Sequence, residues 1–496
     1  MFVDREAELS FLDSVLTRTR PTPAQLILIY GRRRVGKSTL LQHWVEQTGL
    51  PYTYWTAEKD PPALQRHKLF EKVRGKARKR RPLNLFRHWA ECWEAIADEL
   101  DPSQRHILVL DEFNYAAAGE KGMLSSLQLA WDETFKKSQL VIILAGSHVH
   151  AMESIMDYQS PLFGRLTGSW WLRPLPFAVM QDFFSQWSAE ERVAAYGCMG
   201  GVPAYWEWLD PRKRFTANLE QLLLPGSPFI SEPMLLLYDE LQEPSIYLAA
   251  LQAIGAGRHT VRDIADHAMV DSKKITAYLG RLRELRLIER RLPATTVPAK
   301  RKKARKGNYH ISDPFFRFYF RFLAPHVVNF MHVPRKEEIL ADLRQGLRAF
   351  VGATVFEELC REWVLAQSAA GQLPFAVKVN DLGSHWSRNA QVDVVGCNWE
   401  RRGVIIGECK WADDEVHRET IRELIDKKVP DVRKHLPNLG QDWQTHLLLF
   451  GRAGFTAATR AYAQSQGVQL VDVGQLDLDL RAAFERQAVA PAEESS

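Results

Sequence analysis

One short stretch near the start of the chain constrains its fold more than any other. Residues 25–39 read QLILIYGRRRVGKST, an apolar run followed by a glycine-rich turn and the start of a helix. A strand, Gly-x4-Gly-Lys-Ser and a helix form the pattern of a phosphate-binding loop, whose backbone N–H groups surround phosphate oxygens. In that pattern Lys37 reaches the β- and γ-phosphates and Ser38 offers its hydroxyl to Mg²⁺. The predicted nucleotide contacts are Gly31, Arg32, Arg33, Arg34, Val35, Gly36, Lys37, Ser38 and Thr39.

A second apolar run ends in two acidic residues. The sequence HILVLDE places Asp111 and Glu112 directly after four apolar residues. The carboxyl ends of parallel strands face the bound phosphates in such a fold. Asp111 is therefore predicted to hold Mg²⁺, and Glu112 to orient or deprotonate the attacking water. A simple cap of the strand end is the alternative interpretation of both acids.

Two further positions follow in the same part of the chain. Residues 140–148, LVIILAGSH, predict a third core strand with Ser147 at its tip, where it would sense the γ-phosphate. His148 is also available there, although a single histidine at a strand end is more often structural. Arg165 follows a glycine and would contact phosphate in its own chain or in a neighbouring subunit of a homo-oligomer. A surface arginine is the other interpretation of Arg165.

The order of the motifs FVDREAEL, GRRRVGKST, LVLDEFNY, AGSHV, PLFGR and GGVPAY indicates more than a general nucleotide site. Over about residues 1–330 the sequence resembles the archaeal-type ATPase family of the STAND class, within the AAA+-related P-loop proteins. The Gly-x-Pro signature of the family's helical lid matches Gly201-Val202-Pro203. The resemblance implies that ATP is held between core and lid and that slow hydrolysis resets a switch. The long basic segment 66–82 departs from the family pattern.

The middle of the chain has the pattern of a winged helix. From residue 245 three short amphipathic helices precede two strands, with the basic run 300–306 between the strands. This run and a second basic run, 72–81, are both able to contact phosphate backbones. Either run is equally well interpreted as a solvated surface, and a winged helix as a spacer between domains. The basic residues on or beside the third helix are Lys273, Lys274, Arg281 and Arg283.

The C-terminal third contains acids and a lysine in a recognisable order. A helix with Glu357, a strand with Asp393 and a strand ending in Glu408-x-Lys410 resemble the PD-(D/E)XK nuclease fold, in the form that ends the same ATPase family. The resemblance implies that Asp393 and Glu408 bind Mg²⁺ and that Glu357 completes the metal shell. Glu357 is preferred to Glu358 because it matches the family's Phe-Glu step. Lys410 lies on the same strand face as Glu408 and would position or deprotonate the water.

Composition places further limits on the class of protein. The net charge of +5 is modest, and no apolar run approaches the roughly 18 residues that span a bilayer. The first residues lack the basic-then-apolar pattern of a signal peptide. Five cysteines are scattered without metal-type spacing and indicate reduced thiols. We therefore expect a cytoplasmic protein without a membrane partner.

Together these patterns predict a multidomain α/β protein with a P-loop parallel sheet, a helical lid, a winged helix and a C-terminal restriction-endonuclease-like domain. The predicted function is an ATP-hydrolysing switch, with ATP and Mg²⁺ as cofactors, coupled to a Mg²⁺-dependent DNA nuclease. The alternative is an ATP-switched DNA- or protein-binding regulator whose nuclease-like domain is inactive. The expected segments are an ATPase core at 1–180, a lid at 181–240, a winged helix with an aromatic connector at 241–330, a nuclease-like domain at 340–475 and a flexible tail at 476–496.

Overall fold

A computed structural model describes most of the chain, in two compact units. The first unit ends at Leu175 and also includes Val202–Ala204, and the second contains the remainder. The described residues are 4–20, 22–75, 86–120, 122–224, 227–241, 244–304, 307–326, 336–373 and 379–489.

Five parallel strands form the sheet of the first unit, in the order β2-β3-β4-β1-β5. Leu26 and Leu28 face one apolar cluster, whereas Ile27 and Ile29 face another on the opposite side. Because successive side chains of a strand point to opposite faces, a strand covered on both sides is apolar at every position. The strands are β1 Gln25–Tyr30, β2 Tyr52–Thr56, β3 His106–Asp111, β4 Leu140–Gly146 and β5 Gly168–Trp171.

Helices cover both faces of this sheet. Trp44 packs into the cluster of Ile27, and Trp93 packs into the cluster of Leu26. The result is a P-loop NTPase-like parallel sheet, as the sequence predicts. Part of the basic run 72–81 lies outside the described residues. The helices are α1 Glu6–Thr17, α2 Lys37–Thr48, α3 Pro62–Arg74, α4 Trp89–Glu99, α5 Phe113–Gly119, α6 Met123–Glu133 and α7 Val149–Glu153.

The rest of the chain is mainly helical up to the C-terminal sheet. The helices are α8 Met180–Phe183, α9 Ala189–Met199, α10 Pro203–Trp206, α11 Phe215–Leu222, α12 Pro228–Glu240, α13 Ser245–Gly255, α14 Val261–Ala268, α15 Ser272–Glu284, α16 Pro298–Arg301, α17 Pro314–Phe318, α18 Lys336–Val351, α19 Glu357–Ala369, α20 Arg418–Glu423, α21 Val429–Lys434, α22 Ala457–Gln466 and α23 Val473–Val489. Three π-helical turns occur at Tyr319–Leu323, Gly352–Phe356 and Leu424–Lys428.

Seven more strands form two sheets. An antiparallel pair consists of β6 Ile288–Arg291 and β7 Asn308–Ile311. A mixed sheet has the order β12-β11-β10-β9-β8, with β8, β9 and β10 antiparallel and β10, β11 and β12 parallel. Its strands are β8 Asp381–Trp386, β9 Gln391–Asn398, β10 Gly403–Lys410, β11 Gln444–Gly451 and β12 Val468–Asp472.

The connection between β6 and β7 packs against the mixed sheet. The amide N–H of Ala294 donates to the carbonyl oxygen of Ser384 in β8 over 2.9 Å. Ala294 also joins the apolar cluster that contains Val392 and Val404. The sequence predicts a hairpin with the basic run 300–306 at its tip. The strands β6 and β7 do pair antiparallel, and the first residues of their connection pack on the edge of the mixed sheet. Residues 305 and 306 of the run lie outside the described part of the chain. A covered edge strand offers fewer free backbone groups to other chains.

The predicted tail at 476–496 differs from the structure over most of its length. Residues 476–489 continue the helix α23. The helix is ordered because Leu476, Leu480 and Ala483 are buried at helical spacing. Because most residues of the segment are polar, its composition predicted a flexible tail although these three apolar residues recur at helical spacing. Residues 490–496 lie outside the described part of the chain.

Candidate functional sites

The glycine-rich turn joins β1 to α2 in a conformation that depends on its glycines. Gly36 has φ of 98°, in the left-handed region that favours glycine. A Cβ atom at Gly31 would lie 2.3 Å from the carbonyl oxygen of Leu172. Arg5, which the sequence motifs include without a role, donates from its guanidinium to the carbonyl oxygen of Val35 over 3.1 Å. The backbone of Leu172 therefore confines the loop at Gly31, and Arg5 holds it at Val35.

Lys37 lies at the start of α2 and is almost fully buried. Its Nζ donates to the carbonyl oxygens of Gly31, over 2.9 Å, and of Arg32, over 3.0 Å. Burial lowers the pKa of Lys37, and attraction to Glu112 and Asp111 acts against this. The ammonium group is thus held inside the loop. A bound phosphate would compete there with the two carbonyl oxygens for its hydrogen bonds.

Asp111 at the end of β3 is the centre of a hydrogen-bond network. Its Oδ2 accepts from Ser38 Oγ over 2.6 Å and from the Tyr54 hydroxyl over 2.8 Å. Its Oδ1 accepts from the amide N–H of Glu112 over 3.0 Å. Burial and the neighbouring Asp111 raise the pKa of Tyr54, so its hydroxyl remains a donor. Tyr54 is a contact that no motif in the sequence indicated. The available signal was the strand-like alternation of residues 52–56, YTYWT.

Ser147 and Glu112 are brought together at the adjacent strand tips. Ser147 Oγ donates to Glu112 Oε2 over 2.6 Å, and the Ser147 amide donates to Asn114 Oδ1 over 3.2 Å. Glu112 has φ of 49°, a left-handed conformation that is uncommon outside glycine. The strained backbone turns the carboxylate of Glu112 toward β4. Strain of this kind is found mainly at functional sites.

Arg165 and His148 are engaged elsewhere in the first unit. The Arg165 guanidinium donates to Asp132 over 2.8 Å and to the carbonyl oxygens of Pro161 and Phe163. His148 packs edge-on against Tyr115, with ring centroids 5.5 Å apart. In this conformation Arg165 stabilises its own loop.

A second cluster of charged side chains lies on β9, β10 and α19 in the second unit. The antiparallel register pairs Gly407 with Val394, so the next residues along, Glu408 and Asp393, lie side by side. Asp393 Oδ2 accepts from the amide N–H of Cys409 over 3.0 Å. Asp393 is 8% exposed and Glu408 is 4% exposed. Two buried carboxylates thus lie on neighbouring strands, and the charge of Glu408 acts on Asp393.

Glu357 and Glu358 have opposite environments at the start of α19. Burial and then repulsion by Asp393 raise the pKa of Glu357. Burial also acts to raise the pKa of Glu358, but Arg317 and Arg291 outweigh it and lower that pKa to about 2. Glu358 therefore forms structural ion pairs with two arginines. Glu357 is repelled by Asp393 and has a longer contact, 3.5 Å, with Arg361. Burial and then Glu408 raise the pKa of Asp393 as well.

Two lysines contact Glu408. Lys410 Nζ lies 2.8 Å from Oε1 of Glu408, and Lys428 Nζ lies 2.6 Å from Oε2. Burial acts to lower the pKa of Lys410, but the attraction of Glu408 gives a net rise, so Lys410 is an ammonium ion. Lys428 closes the π-helical turn Leu424–Lys428, which the sequence did not reveal. π-turns occur often at functional sites.

Comparison with known proteins identifies the class and the family. A parallel sheet with this loop and an acid pair at the end of β3 defines a P-loop ATPase domain. Residues 2–209 match a family described as an ATPase domain predominantly from Archaea, and residues 319–423 match archaeal and bacterial proteins of unknown function. The protein MJECL04 of Methanocaldococcus jannaschii is 32% identical over 440 residues, which cover 86% of this chain and 92% of that protein. The chain therefore belongs to this family of archaeal-type ATPases.

The solved structures that are similar to this chain include two archaeal proteins. The Walker-type ATPase PABY2304 of Pyrococcus abyssi is 22% identical with a TM-score of 0.44, over 64% of this chain and 96% of that one. The ORC2 protein of Aeropyrum pernix is 13% identical with a TM-score of 0.42, over 69% and 95%. None of the helices within the described ranges is long and apolar enough to cross a membrane.

Proposed function

We propose that the first unit binds and hydrolyses ATP with the roles that the sequence predicts. The loop Gly31–Ser38 holds the phosphates, and Lys37 exchanges its carbonyl partners for phosphate oxygens. Ser38 and Asp111 offer a hydroxyl and a carboxylate oxygen only 2.6 Å apart, a donor pair that suits Mg²⁺. Glu112 orients the attacking water, and Ser147 orients Glu112.

The ATP site has a direct test. Lys37→Ala should abolish ATP hydrolysis by the full-length protein, because Lys37 is the buried cation of the loop that reaches the β- and γ-phosphates. Lys137→Ala, an exposed lysine of the same unit, is the matched control. Turnover that is unchanged in Lys37→Ala would refute the assignment of this site.

We further propose that the second unit contains a Mg²⁺-dependent nuclease whose activity is controlled by the nucleotide state. The observation that supports this most is the convergence of Glu357, Asp393 and Glu408. Burial and then mutual repulsion raise the pKa values of Glu357 and Asp393. An all-oxygen set of buried carboxylates suits a hard divalent cation. When bound, Mg²⁺ supplies a Lewis acid for the scissile phosphate.

The sequence leaves two roles open for Lys410, to position the water or to deprotonate it, and we propose the first. Its charge favours positioning of the attacking water or of the scissile phosphate over deprotonation. A charged lysine also stabilises negative charge that develops on the phosphate oxygens. The Lys410 ammonium group reaches these oxygens when it rotates away from Glu408.

DNA is the proposed substrate. In α15, Lys273, Lys274 and Arg283 are exposed, which suits contact with a phosphate backbone. We propose residues 181–240 as the helical lid, 241–330 as a winged helix with its aromatic connector and 340–475 as the PD-(D/E)XK nuclease-like domain of a STAND-class switch.

The nuclease is tested by a cleavage assay on linear, branched and single-stranded DNA. The full-length protein is incubated with Mg²⁺ or Mn²⁺, with and without ATP. Wild type should cut at least one form, and Lys410→Ala should be reduced by about a hundredfold or more, the range for an electrostatic group in the transition state. Lys427→Ala, exposed on the neighbouring turn, should cut as wild type does. If wild type and Lys410→Ala are equally inert on every substrate, the nuclease proposal fails.

One observation favours the alternative, an ATP-switched regulator with an inactive nuclease-like domain. Lys410 and Lys428 both neutralise Glu408, and two ammonium groups compete with a metal ion for that carboxylate. Calorimetry with Mn²⁺ separates the two functions. Binding that disappears in Asp393→Ala supports the nuclease, whereas DNA affinity that falls steeply with salt and yields no products supports the regulator.

A further inference from the structure

A separate group of three side chains lies around the edge strand of the C-terminal sheet. His385 is in β8, Asp431 is in α21, and His435 follows the end of α21, one helical turn beyond Asp431. One ligand atom from each residue lies within 4.8 Å of the other two. We propose that these three side chains form a second metal site, which binds a divalent transition-metal ion such as Zn²⁺.

The contacts of His385 leave room for either a proton or a metal ion. Its Nδ1 lies 2.9 Å from Thr295 Oγ1, and its Nε2 lies 3.1 Å from Asp431 Oδ2. When Nδ1–H donates to Thr295, the Nε2 lone pair and the carboxylate oxygen face the same gap, and a cation is needed between them. Tetrahedral ligands of zinc are about 3.3 Å apart, which follows from bond lengths of about 2.0–2.1 Å. The observed separation of these two atoms suits this geometry.

His435 completes the set from the solvent side. Its Nδ1 lies 2.8 Å from the backbone carbonyl oxygen of Asp431, to which Nδ1–H donates, and 4.0 Å from Asp431 Oδ2, so the ring is held beside the carboxylate. Nε2 is then the nitrogen left to bind the ion. Metal-binding histidines commonly have their second nitrogen fixed in this way. The His435 side chain is 45% exposed, which gives an ion a route into the site.

The charge of the cluster also favours a cation. The Asp431 side chain is 5% exposed and accepts hydrogen bonds from the neutral side chains of Ser387 and Asn389. Within the described ranges its ion-pair partners are the two histidines, which are charged only when protonated. A buried carboxylate is costly unless its charge is balanced. A divalent ion held by all three side chains balances that charge at neutral pH. Two imidazoles and one carboxylate suit zinc, nickel or cobalt better than Mg²⁺ or Ca²⁺.

The site would join two segments that are distant in the sequence. Thr295 belongs to the connection between β6 and β7, which packs on β8 through Ala294. An ion held by His385 therefore fixes, through Thr295, the connection that contains residues 300–304 of the basic run. The metal would stabilise this junction, independently of the carboxylates proposed to cut DNA.

The test is calorimetric titration of the full-length, chelator-treated protein with Zn²⁺. Wild type and Asp393→Ala should both bind Zn²⁺ at this site, so failure of the nuclease proposal does not affect the result. His435→Gln should lose this binding, and Thr295→Val should weaken it by about 10- to 100-fold, the usual effect of losing a residue that orients a ligand. His417→Gln, an exposed histidine outside the cluster, should bind Zn²⁺ as wild type does.

Cobalt gives a second measurement that does not depend on variants. Co²⁺ added to wild type should produce the visible absorption of a four-coordinate imidazole site, and excess Zn²⁺ should remove it. If wild type binds no Zn²⁺, or if His435→Gln binds it as tightly as wild type, the proposal is overturned. His385, Thr295 and Asp431 would then form a buried hydrogen-bond chain.

Discussion

Ser147 Oγ donates to Glu112 Oε2 over 2.6 Å, so the hydroxyl after β4 holds the carboxylate after β3. The two strands are parallel neighbours, which brings their carboxyl ends to the same edge of the sheet. The left-handed backbone of Glu112 directs its side chain toward this contact. The orientation of the proposed water-activating acid therefore depends on the next strand of the sheet.

Loss of the Ser147 hydroxyl should reduce catalysis more than binding. A hydrogen bond to a charged group contributes about 1.5–3 kcal/mol, so Ser147→Ala should lower kcat for ATP by about tenfold or more. The dissociation constant for ATP should change little, because the loop itself holds the phosphates. Steady-state hydrolysis and nucleotide titration measure the two effects. Ser154→Ala, an exposed serine of the same unit, is the control. Equal losses of affinity and kcat would contradict the role of Ser147.

Tyr54 provides a second test at the same site. Tyr54→Phe removes the hydroxyl that donates to Asp111 Oδ2 and leaves the ring in place. Asp111 should then be held less firmly, and the Mg²⁺ concentration needed for half-maximal hydrolysis should rise several-fold. Tyr52→Phe changes an exposed tyrosine of the same strand, 43% accessible, and should have no effect. A Mg²⁺ dependence that is the same in all three proteins would exclude a role for Tyr54.

The sequence was sufficient where a local pattern determines a structure. The apolar runs at Leu26–Ile29 and Leu108–Leu110 predicted buried parallel strands, because strands covered on both faces need apolar side chains throughout. The glycine-rich loop follows from the same local reasoning, since glycine is needed for the left-handed conformation of residue 36.

The sequence was insufficient where partners come from distant segments. Tyr54, Thr295 and Lys428 each reach their charged or polar partner through tertiary packing or a helical irregularity. No periodicity indicates a π-turn, which shifts Lys428 relative to a regular helix. The arginine partners of Glu358 and the effect of Asp393 on Glu357 favour Glu357 over Glu358 as a ligand, and the sequence could assign neither contact.

Mn²⁺ binding at the carboxylates should depend on pH in a defined direction. Burial and mutual repulsion raise the pKa values of Glu357 and Asp393, so both hold protons above the ordinary carboxylate pKa of about 4. A metal ion binds their deprotonated forms and displaces those protons. Mn²⁺ affinity should therefore increase as the pH rises toward neutrality and above. Calorimetry in buffers of different ionisation enthalpy should detect proton release. An affinity independent of pH would contradict the proposed ligands.

Lys428 tests whether a lysine competes with the metal ion. Lys428→Met removes an ammonium group 2.6 Å from Glu408 Oε2 and keeps the length of the side chain. Glu408 then lacks one of its two cations, so Mn²⁺ should bind several-fold more tightly. Lys427→Met, an exposed neighbour, should bind Mn²⁺ as wild type does. Weaker binding in Lys428→Met would mean that Lys428 supports the site by orienting Glu408.

The C-terminal helix should contribute to stability through a buried ion pair. Arg192 in α9 donates to Asp477 in α23, and each side chain is 7% exposed. Removal of one partner from a buried pair leaves an uncompensated charge and costs about 3–5 kcal/mol. Asp477→Ala should thus lower the urea midpoint of the second unit, whereas Leu478→Ala, on the exposed face of the same helix, should change it little. Equal midpoints for Asp477→Ala and wild type would mean that α23 adds little to the stability of the folded protein.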